Sequence, residues 1–172
     1  MEIDILPKMA RAQIHMVFIV VPRFNIATLI TMIETLRIAN YLAPTSTFSW
    51  EVASFDGSKI TASNGMTATI KTANDNLQPA EFVFILGSWG TEHYHNQKLT
   101  AWLRKRARAG ERICGVELGS YIVARAGLLD GKSATIHWSW LNGFKENFDR
   151  VEVEESLFTL DSKVMTCSGG LA

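Results

Sequence analysis

The sequence predicts an α/β domain in which helices cover both faces of a mostly parallel sheet, a three-layer sandwich. Two predominantly apolar runs, residues 14–21 and 81–86, have the composition of strands that are buried on both faces. Between them, apolar residues recur every three to four positions after Asn25, and they do so again over residues 96–109. A third strand followed by a helix, over residues 112–126, continues the alternation that defines this class.

Composition limits what the chain can do by itself. Its 172 residues, of which 47% are hydrophobic, are enough for one domain with a full core. Seventeen basic and seventeen acidic residues cancel, so there is no excess positive charge with which to hold DNA or RNA. No apolar run approaches the roughly 18 residues of a membrane helix, and the acidic start argues against a signal peptide. We therefore expect a cytoplasmic location and no membrane contact.

The predicted organisation is one domain, residues 13–172, preceded by an N-terminal tail, residues 1–12, that shows no clear period. The glycine-rich end of the sequence is typical of a turn before another element and indicates a longer protein. Cys114 and Cys167 lie far apart in apolar surroundings without C-x-x-C spacing. We expect them to be buried, reduced thiols.

The first predicted helix begins after Asn25, a good N-cap, and ends near Leu42. Its inward stripe follows the 3.6-residue period and consists of Ile26, Leu29, Ile30, Ile33 and Leu36. The helix predicted at 96–109 ends in a basic run of Arg104, Lys105, Arg106 and Arg108. We interpret this run as a solvated face that suits the helix dipole, with nucleic-acid contact as the alternative.

The remaining elements are short. A strand over 49–55 ends at an Asp-Gly turn, and Ser63-Asn64-Gly65 is a hairpin signal between two short strands in residues 60–71. After another Asp-Gly turn at 130–131 we expect an extended piece at 133–137 and a helix at 138–148. Short strands at 151–153, 157–160 and 164–166 complete the prediction.

The most informative stretch is Gly115-Val-Glu-Leu-Gly119, where a predicted strand meets a predicted helix. It has the form G-x-Nuc-x-G of a nucleophile elbow, a strained turn that presents its central side chain above the sheet. The glycines allow strand and helix backbones to approach closely. In an enzyme the central residue would be Ser or Cys, but here it is Glu117. Acyl transfer by this residue is not expected, because a resting carboxylate attacks amides weakly.

Ligands of open α/β sheets bind outside the carboxyl ends of the strands. Four stretches should meet there: residues 22–25, residues 87–90, the elbow and the segment around His137. A carboxylate beside indole faces can hold a quaternary ammonium or guanidinium group, and the nearest tryptophans in sequence are Trp89, Trp138 and Trp140. In the alternative, the tryptophans pack in the core and Glu117 pairs with a cation of the protein.

Other groups are weaker candidates. His93-x-His95 has the spacing of two metal ligands on a strand, but only Glu92 accompanies it, so we expect no metal and no other cofactor. Glu34 and Arg37 are three residues apart on the first helix and are expected to form an ion pair.

Several motifs, in order, resemble the N-terminal sensor domain of AraC-type transcriptional regulators, a PfpI-like branch of the class I glutamine amidotransferase-like, flavodoxin-like fold. The resemblance spans about residues 14–172, nearly the whole sequence. The motifs are Val20-Val-Pro-Arg-Phe24, Ile33-Glu-x-Leu-Arg-x-Ala-Asn40, Ser63-Asn-Gly65, the elbow, Ala124-Arg-Ala-Gly-Leu-Leu-Asp-Gly131, Ala134-Thr-Ile-His-Trp138 and Val164-Met-Thr-Cys-Ser-Gly-Gly170.

The resemblance implies a site in which enzymes of the fold carry a Cys at the elbow, a supporting acid and a His. Here Glu117 stands in the Cys position and Thr28, or a neighbour, in the position of the acid, so that only His137 matches. Regulators of this type that sense betaine, carnitine or similar amines resemble this elbow with Asp in the Cys position. The family also implies dimerisation through the sensor domain and a C-terminal pair of helix-turn-helix motifs, which this chain does not contain.

The leading hypothesis is therefore a non-catalytic module that senses a small effector and forms a homodimer, while DNA binding belongs to the missing C-terminal domain. The effector is expected to be an amine or an amino-acid derivative, preferably a quaternary amine. The predicted pocket residues are Glu117, His137, the Leu118 amide, Ser88, Trp89 and Trp138. The second hypothesis is a hydrolase or lyase that uses Glu117 and His137 in acid–base catalysis, and the third is a structural dimer module with an occluded pocket.

Overall fold

A seven-stranded sheet runs through the middle of the protein, and helices pack on both of its faces. The computed structural model describes residues 13–73 and 76–169. The predicted tail at 1–12 and the last glycine-rich residues lie outside this part. The elements are β1 Ile14–Val20, α1 Ile26–Leu42, β2 Phe48–Ser54, β3 Lys59–Thr61, β4 Thr67–Thr69, β5 Lys71–Thr72, β6 Phe82–Gly87, α2 Gln97–Arg108, β7 Arg112–Glu117, α3 Gly119–Arg125, β8 Ser133–Ala134, α4 Leu141–Asn147, β9 Glu152–Val153, β10 Phe158–Asp161 and β11 Val164–Cys167.

The main sheet has the strand order β10-β11-β7-β6-β1-β2-β5. Its neighbours are parallel except for the pair β10–β11, which is antiparallel. The predicted three-layer α/β sandwich with a mostly parallel sheet is confirmed. Strands β3 and β4 form the hairpin that the Ser-Asn-Gly signal predicted, and they make a separate two-stranded sheet.

Successive side chains of each central strand enter opposite cores. On one face, which we call the α2–α4 face, Val17, Ile19 and Ile85 are fully buried among residues of α2, α3 and α4. On the other, the α1 face, Phe18 and Val20 pack with α1 and the β3–β4 hairpin. Burial on both faces is the reason that the sequences of these strands are almost entirely apolar, without the alternation of apolar and polar residues that a half-exposed strand shows.

Helix α1 begins at its predicted cap and ends where the sequence predicted. The Asn25 side chain accepts hydrogen bonds from the N–H groups of Ala27 and Thr28. Among the helix residues, Leu29 is the one that is buried, and Ile30, predicted to face the core, is instead 51% exposed. The prediction that Ile30 faces the core is therefore wrong. Helical periodicity shows which residues lie on the same side of the helix, but it does not show how much of that side is covered by the rest of the protein.

The prediction of a solvated basic run at the end of α2 is wrong for Arg106. Its side chain is only 10% exposed, and its Nε donates to the Glu111 carboxylate at 2.5 Å. It also donates to the backbone carbonyls of Leu77 and Gln78, and its guanidinium lies over the Trp102 ring. The positive charge is balanced inside the protein instead of being displayed to solvent.

Two smaller results complete the fold. Within the described residues, no helix is long and apolar enough to cross a membrane. Glu34 and Arg37 form the predicted ion pair on the exposed side of α1, at 2.7 Å.

Candidate functional site

The elbow forms as a tight connection between β7 and α3. Glu117 ends the strand with a φ of 52°, in the left-handed region that costs a non-glycine residue of order 1 kcal/mol. Its side chain is nevertheless 3% exposed, and the next residue, Leu118, is 1% exposed. The sequence therefore holds a carboxylate in a strained and buried position.

Three glycines make this geometry possible. A Cβ on Gly115 would lie 2.8 Å from the Ser120 Cα, and one on Gly119 would collide with the Ile85 carbonyl oxygen. A Cβ on Gly169, which follows β11, would occupy the place of the Glu117 side chain. The aliphatic part of the Glu117 side chain is thus covered by backbone on the β11 side. The predicted need for close backbone approach at the elbow is confirmed.

Helix α1 provides the hydrogen bonds that orient Glu117. Its Oε1 accepts one from the Asn25 side-chain amide at 2.8 Å and one from the Thr28 hydroxyl at 3.2 Å. The Asn25 oxygen is already used to cap α1, so the amide nitrogen is the group available to Glu117. Thr28 was matched by resemblance to the acid position, and it does contact the elbow residue.

No basic side chain within residues 13–73 and 76–169 forms an ion pair with Glu117. The alternative in which a protein cation neutralises this carboxylate therefore has no support in the part of the chain that the structure describes.

A cavity of about 320 Å³ opens in front of this carboxylate. It is lined by Asn25, Ser63, Asn64, Ser88, Trp89, Glu117, Leu118 and His137. Five of the six predicted pocket residues thus lie around one hollow. Sequence reasoning placed residues 22–25, which include Asn25, at this edge of the sheet, but it missed Ser63 and Asn64, which come from the tip of the β3–β4 hairpin. The hairpin signal was visible in the sequence, but its place beside the elbow is a tertiary feature.

The sixth predicted residue, Trp138, lies beside this set and not among the lining residues. It is 67% exposed, and its ring centroid is 5.5 Å from that of His137. Trp89, at the cavity, is 62% exposed, whereas Trp140 packs edge-on against Tyr121. The interpretation of the tryptophans as core residues is thus wrong for Trp89 and Trp138 and correct for Trp140.

His137 reaches the cavity from a segment that α3 and β11 hold in place. Thr135, two residues earlier, accepts from the Ser120 hydroxyl through its carbonyl and donates its N–H to the Thr166 hydroxyl at 2.7 Å. The His137 Nδ1 is hydrogen-bonded to the Ser139 hydroxyl, also at 2.7 Å. His137 thus lines the same hollow as Glu117, while its Nδ1 is engaged with its own turn.

The loop that carries Ser88 and Trp89 is fastened to α3 by Arg125. This half-buried guanidinium donates to the backbone carbonyls of Thr91, Glu92 and Tyr94. Burial, the largest cause, lowers the pKa of Arg125. The side chain connects the helix that follows the elbow to the segment directly after the lining residues Ser88 and Trp89.

Burial makes the thiolate form unfavourable at both cysteines. Burial raises the pKa of the Cys114 thiol to about 12. Burial is also the largest cause that raises the pKa of Cys167, and the nearby Glu117 carboxylate adds to it, although backbone hydrogen bonds at Gly169 and Glu117 act in the opposite direction. Cys114 is buried as predicted, whereas Cys167 is only partly buried, so the prediction of two buried thiols is half correct.

The predicted histidine pair does not form a strand. Thr91–His93 is a turn of 3-10 helix, and the His93 side chain is 88% exposed. In the described residues there is no cluster of three or more His, Cys, Asp or Glu side chains that could hold a metal ion.

Comparison with known proteins places this chain in a family. The sequence model of the DJ-1/PfpI family matches residues 17–171, and the protein belongs to that family. Over 155 residues it is 34% identical to the HTH-type transcriptional regulator CdhR of Pseudomonas aeruginosa, covering 90% of this chain and 46% of that protein. The HTH-type transcriptional regulator GbdR of the same species is also 34% identical over 155 residues, covering 90% of this chain and 42% of that protein.

A solved structure shows the same fold. An AraC family transcriptional regulator from Pseudomonas putida superposes with a TM-score of 0.82 at 22% identity, over 91% of this chain and 84% of that one. The present chain spans less than half the length of CdhR and GbdR. It is therefore similar to the PfpI-like part of AraC-type regulators, as the motifs indicated.

Proposed function

We propose that residues 13–172 form the effector-sensing and dimerisation domain of an AraC-type transcriptional regulator that acts in the cytoplasm. The similarity to CdhR and GbdR supports a regulatory role, and DNA binding is assigned to a C-terminal helix-turn-helix domain of the complete protein. In this assignment the domain is not an enzyme, because the position of the elbow nucleophile holds Glu117.

One observation carries the proposed chemistry. Glu117 is a buried carboxylate at the edge of a cavity, oriented by two neutral donors, and no basic side chain of the described chain is paired with it. Burying an ionised carboxylate without an opposite charge is costly, so a cationic ligand is the natural partner. Trp89 offers an exposed indole at the same cavity, which favours a quaternary ammonium or a guanidinium group.

The remaining lining groups suit the rest of a small, polar metabolite. Ser63, Asn64 and Ser88 supply neutral hydrogen-bonding groups around the cavity, and His137 supplies a ring that can donate or accept. A cavity of about 320 Å³ is at the lower end of the range for small-molecule sites. An amine or amino-acid derivative fits this volume and this mixture of groups, with a quaternary amine preferred.

The contacts of Asn25 connect the cavity to helix α1. This side chain caps the helix through its oxygen and holds Glu117 through its nitrogen. A cation that draws the carboxylate towards itself alters the first turn of α1, and ligand binding thereby shifts the population of helix positions.

A thermal-shift screen tests this function. Betaine, choline, carnitine, arginine, agmatine and polyamines would be added to wild type, to Glu117→Gln and to Glu152→Gln, a charge-removing control at an exposed residue of β9. A ligand at about a hundred times its Kd stabilises by about 2.7 kcal/mol, or roughly 5 to 10 °C for this size. The shift should persist in the control and disappear in Glu117→Gln.

Activity assays on the same three proteins distinguish a sensor from an enzyme. Turnover of small aldehydes, esters or amides that is abolished by Glu117→Gln would favour the hydrolase or lyase, since Glu117 and His137 share one cavity. Saturable amine binding without turnover favours the sensor. The absence of a shift with any compound class would favour a structural module with an occluded pocket.

A further inference from the structure

On the basis of the sensing function proposed above, we propose that Arg23 binds a carboxylate group of the effector at the rim of the cavity. In this arrangement Glu117 holds the ammonium end of the same molecule. Arg23 then determines specificity, because it favours an amine that also carries a carboxylate over an amine that carries positive charge alone.

The backbone of Arg23 is fixed to segments that line the cavity. The residue lies between β1 and α1, two positions before the lining residue Asn25. Its N–H donates to the Thr61 carbonyl at 2.8 Å, and the N–H of Ser63, another lining residue, donates to the Phe24 carbonyl at 3.0 Å. Arg23 is therefore joined to the β3–β4 hairpin, the tip of which lines the cavity.

The Arg23 side chain extends to the loop after β6, which contributes Ser88 and Trp89 to the cavity lining. A Cβ placed on Gly90, the next residue of this loop, would lie 3.7 Å from the Arg23 Nη1 and 3.9 Å from its Cδ. The exposed guanidinium is thus at the rim of the cavity, beside the glycine that follows Trp89.

Backbone strain marks the same two charged residues. Among residues 13–73 and 76–169, three non-glycine residues have a positive φ: Arg23 at 65°, Glu117 at 52°, and Ser162 in the turn between β10 and β11. Residues that keep such a strained conformation are concentrated at functional sites. Glycine at position 23 would avoid the strain, so the long cationic side chain is present there in spite of a local cost.

The guanidinium of Arg23 is not occupied by the described part of the protein. No carboxylate in residues 13–73 and 76–169 forms an ion pair with it, and Glu92, an acid of the same loop, accepts instead from the Gly90 N–H at 2.9 Å. By contrast, Arg106 and Arg125 donate to a carboxylate or to backbone carbonyls.

The cavity therefore has an anion inside it and a cation at its rim, and neither is paired within the described residues. A ligand with an ammonium group at one end and a carboxylate at the other neutralises both charges at once. The planar guanidinium can donate two parallel hydrogen bonds to a carboxylate, a match that a neutral amide or hydroxyl does not offer. A simple amine or a polyamine would instead meet uncompensated positive charge at Arg23. The ligand class is thus a betaine or an amino acid.

Calorimetric titration with acids and their amides tests this role. Betaine and carnitine would each be compared with the corresponding primary amide, which keeps the ammonium group and the size but removes the negative charge. Wild type should bind the acids at least about tenfold more tightly than the amides, and the preference should fall below about twofold in Arg23→Met and in Arg23→Gly. Arg108→Met, which removes an exposed arginine at the end of α2, should keep the wild-type preference.

The two Arg23 variants separate loss of the charge from loss of the fold. Met keeps a long side chain without the guanidinium, whereas Gly adopts a positive φ without strain and should unfold at no lower a temperature than wild type. Both should bind the amides within about threefold of wild type. Equal binding of acid and amide by wild type, or a preference for the acid that survives in either variant, would overturn the role of Arg23.

Glu117→Gln and 3,3-dimethylbutanoate, a carboxylate without the ammonium charge, distinguish this failure from failure of the proposed function. If the amides bind to wild type but not to Glu117→Gln, and the acids are not preferred, the role of Arg23 is wrong and amine sensing stands. If 3,3-dimethylbutanoate binds to wild type but not to Arg23→Met, and Glu117→Gln binds every compound as wild type does, the carboxylate site is right and the amine site is wrong. Absence of binding by every compound overturns both.

Discussion

The two faces of the central sheet differ in how they are covered. The candidate site lies at one edge of the sheet, where strands end. On the α2–α4 face, three helices bury their apolar residues, and even a charged side chain, Arg106, is enclosed with its partner Glu111. On the α1 face, the described helix buries one residue, Leu29, and exposes apolar side chains such as Ile30 and Tyr41 together with an ion pair.

This difference suggests a division of labour in the site. The elbow glycines and α3 on the closely packed face hold the Glu117 backbone in its strained conformation. The hydrogen bonds to its carboxylate come from Asn25 and Thr28, on the less enclosed α1. A rigid anchor joined to a helix with fewer tertiary restraints is an arrangement in which a ligand can move the helix without disturbing the core.

The largest expected difference in stability is between removing the Arg106–Glu111 ion pair on the α2–α4 face and removing the Glu34–Arg37 ion pair on α1. Arg106→Met should lower the free energy of unfolding by about 3 to 5 kcal/mol, because Glu111 is left buried without its partner and two carbonyls lose a donor. Arg37→Met, the matched change on α1, should leave the urea midpoint close to that of wild type, because this ion pair is exposed to solvent and screened by it. Urea unfolding of both variants measures the contrast, and similar losses in the two would mean that the faces do not differ.

A second test adds one methyl group at the elbow. Gly119→Ala should destabilise by about 3 kcal/mol, because the new Cβ meets the Ile85 carbonyl, which belongs to a central strand and cannot move aside. In Gly143→Ala, the control, the Cβ would lie 3.5 Å from the Tyr121 hydroxyl, an ordinary contact. This change should stabilise α4 by about 0.5 to 1 kcal/mol. If both substitutions were neutral in thermal unfolding, the close approach at the elbow would be disproved.

Two asparagine caps give the third contrast. Asn25 caps α1 and Asn96 caps α2, each through its side-chain oxygen. Replacing either by Ala should cost about 1 kcal/mol of stability, measured by urea unfolding. Of the two, only Asn25→Ala should also weaken amine binding, because Asn25 donates a hydrogen bond to Glu117 and Asn96 does not. An equal effect of the two substitutions on calorimetric affinity would remove the proposed connection between the cavity and α1.

The smallest effect concerns Glu51, a residue of β2. Burial acts to raise the pKa of its carboxyl, but hydrogen bonds from Lys71 and from the Gln78 N–H outweigh burial and lower the pKa. A lowered folded-state pKa contributes stability above the unfolded value of about 4.3, and the contribution is lost as the pH falls through the folded value. Glu51→Gln should thus cost under about 1 kcal/mol at neutral pH, and this cost should disappear in acid. A cost that is independent of pH in urea titrations would contradict this assignment.

Much of the fold could be predicted from the sequence because its signals are local. The strands read as apolar runs, the caps Asn25 and Asn96 precede their helices, and the paired glycines mark the elbow. The place of Glu117 follows from that elbow pattern, and the order of strands and helices brings Ser88, Trp89 and His137 to the same edge of the sheet.

The errors arose where tertiary contacts decide. Arg106 is buried because the chain turns after α2 and returns Glu111 to it, which helical spacing does not show. Ile30 is exposed because the core beneath α1 is narrower than the apolar stripe. Ser63 and Asn64 reach the cavity because their hairpin packs against the α1 face, a contact between segments more than thirty residues apart along the chain.

The measurement that tests the central claim most directly is calorimetric titration with pairs of isosteric ligands that differ in charge. Betaine would be compared with 3,3-dimethylbutanoate, and choline with 3,3-dimethylbutan-1-ol, in wild type and in Glu117→Gln. If Glu117 is the counter-ion of a cationic effector, wild type should bind the ammonium member of a pair at least about tenfold more tightly. The preference should vanish in the variant. Equal binding of both members by wild type, or an ammonium preference that persists in Glu117→Gln, would contradict the account.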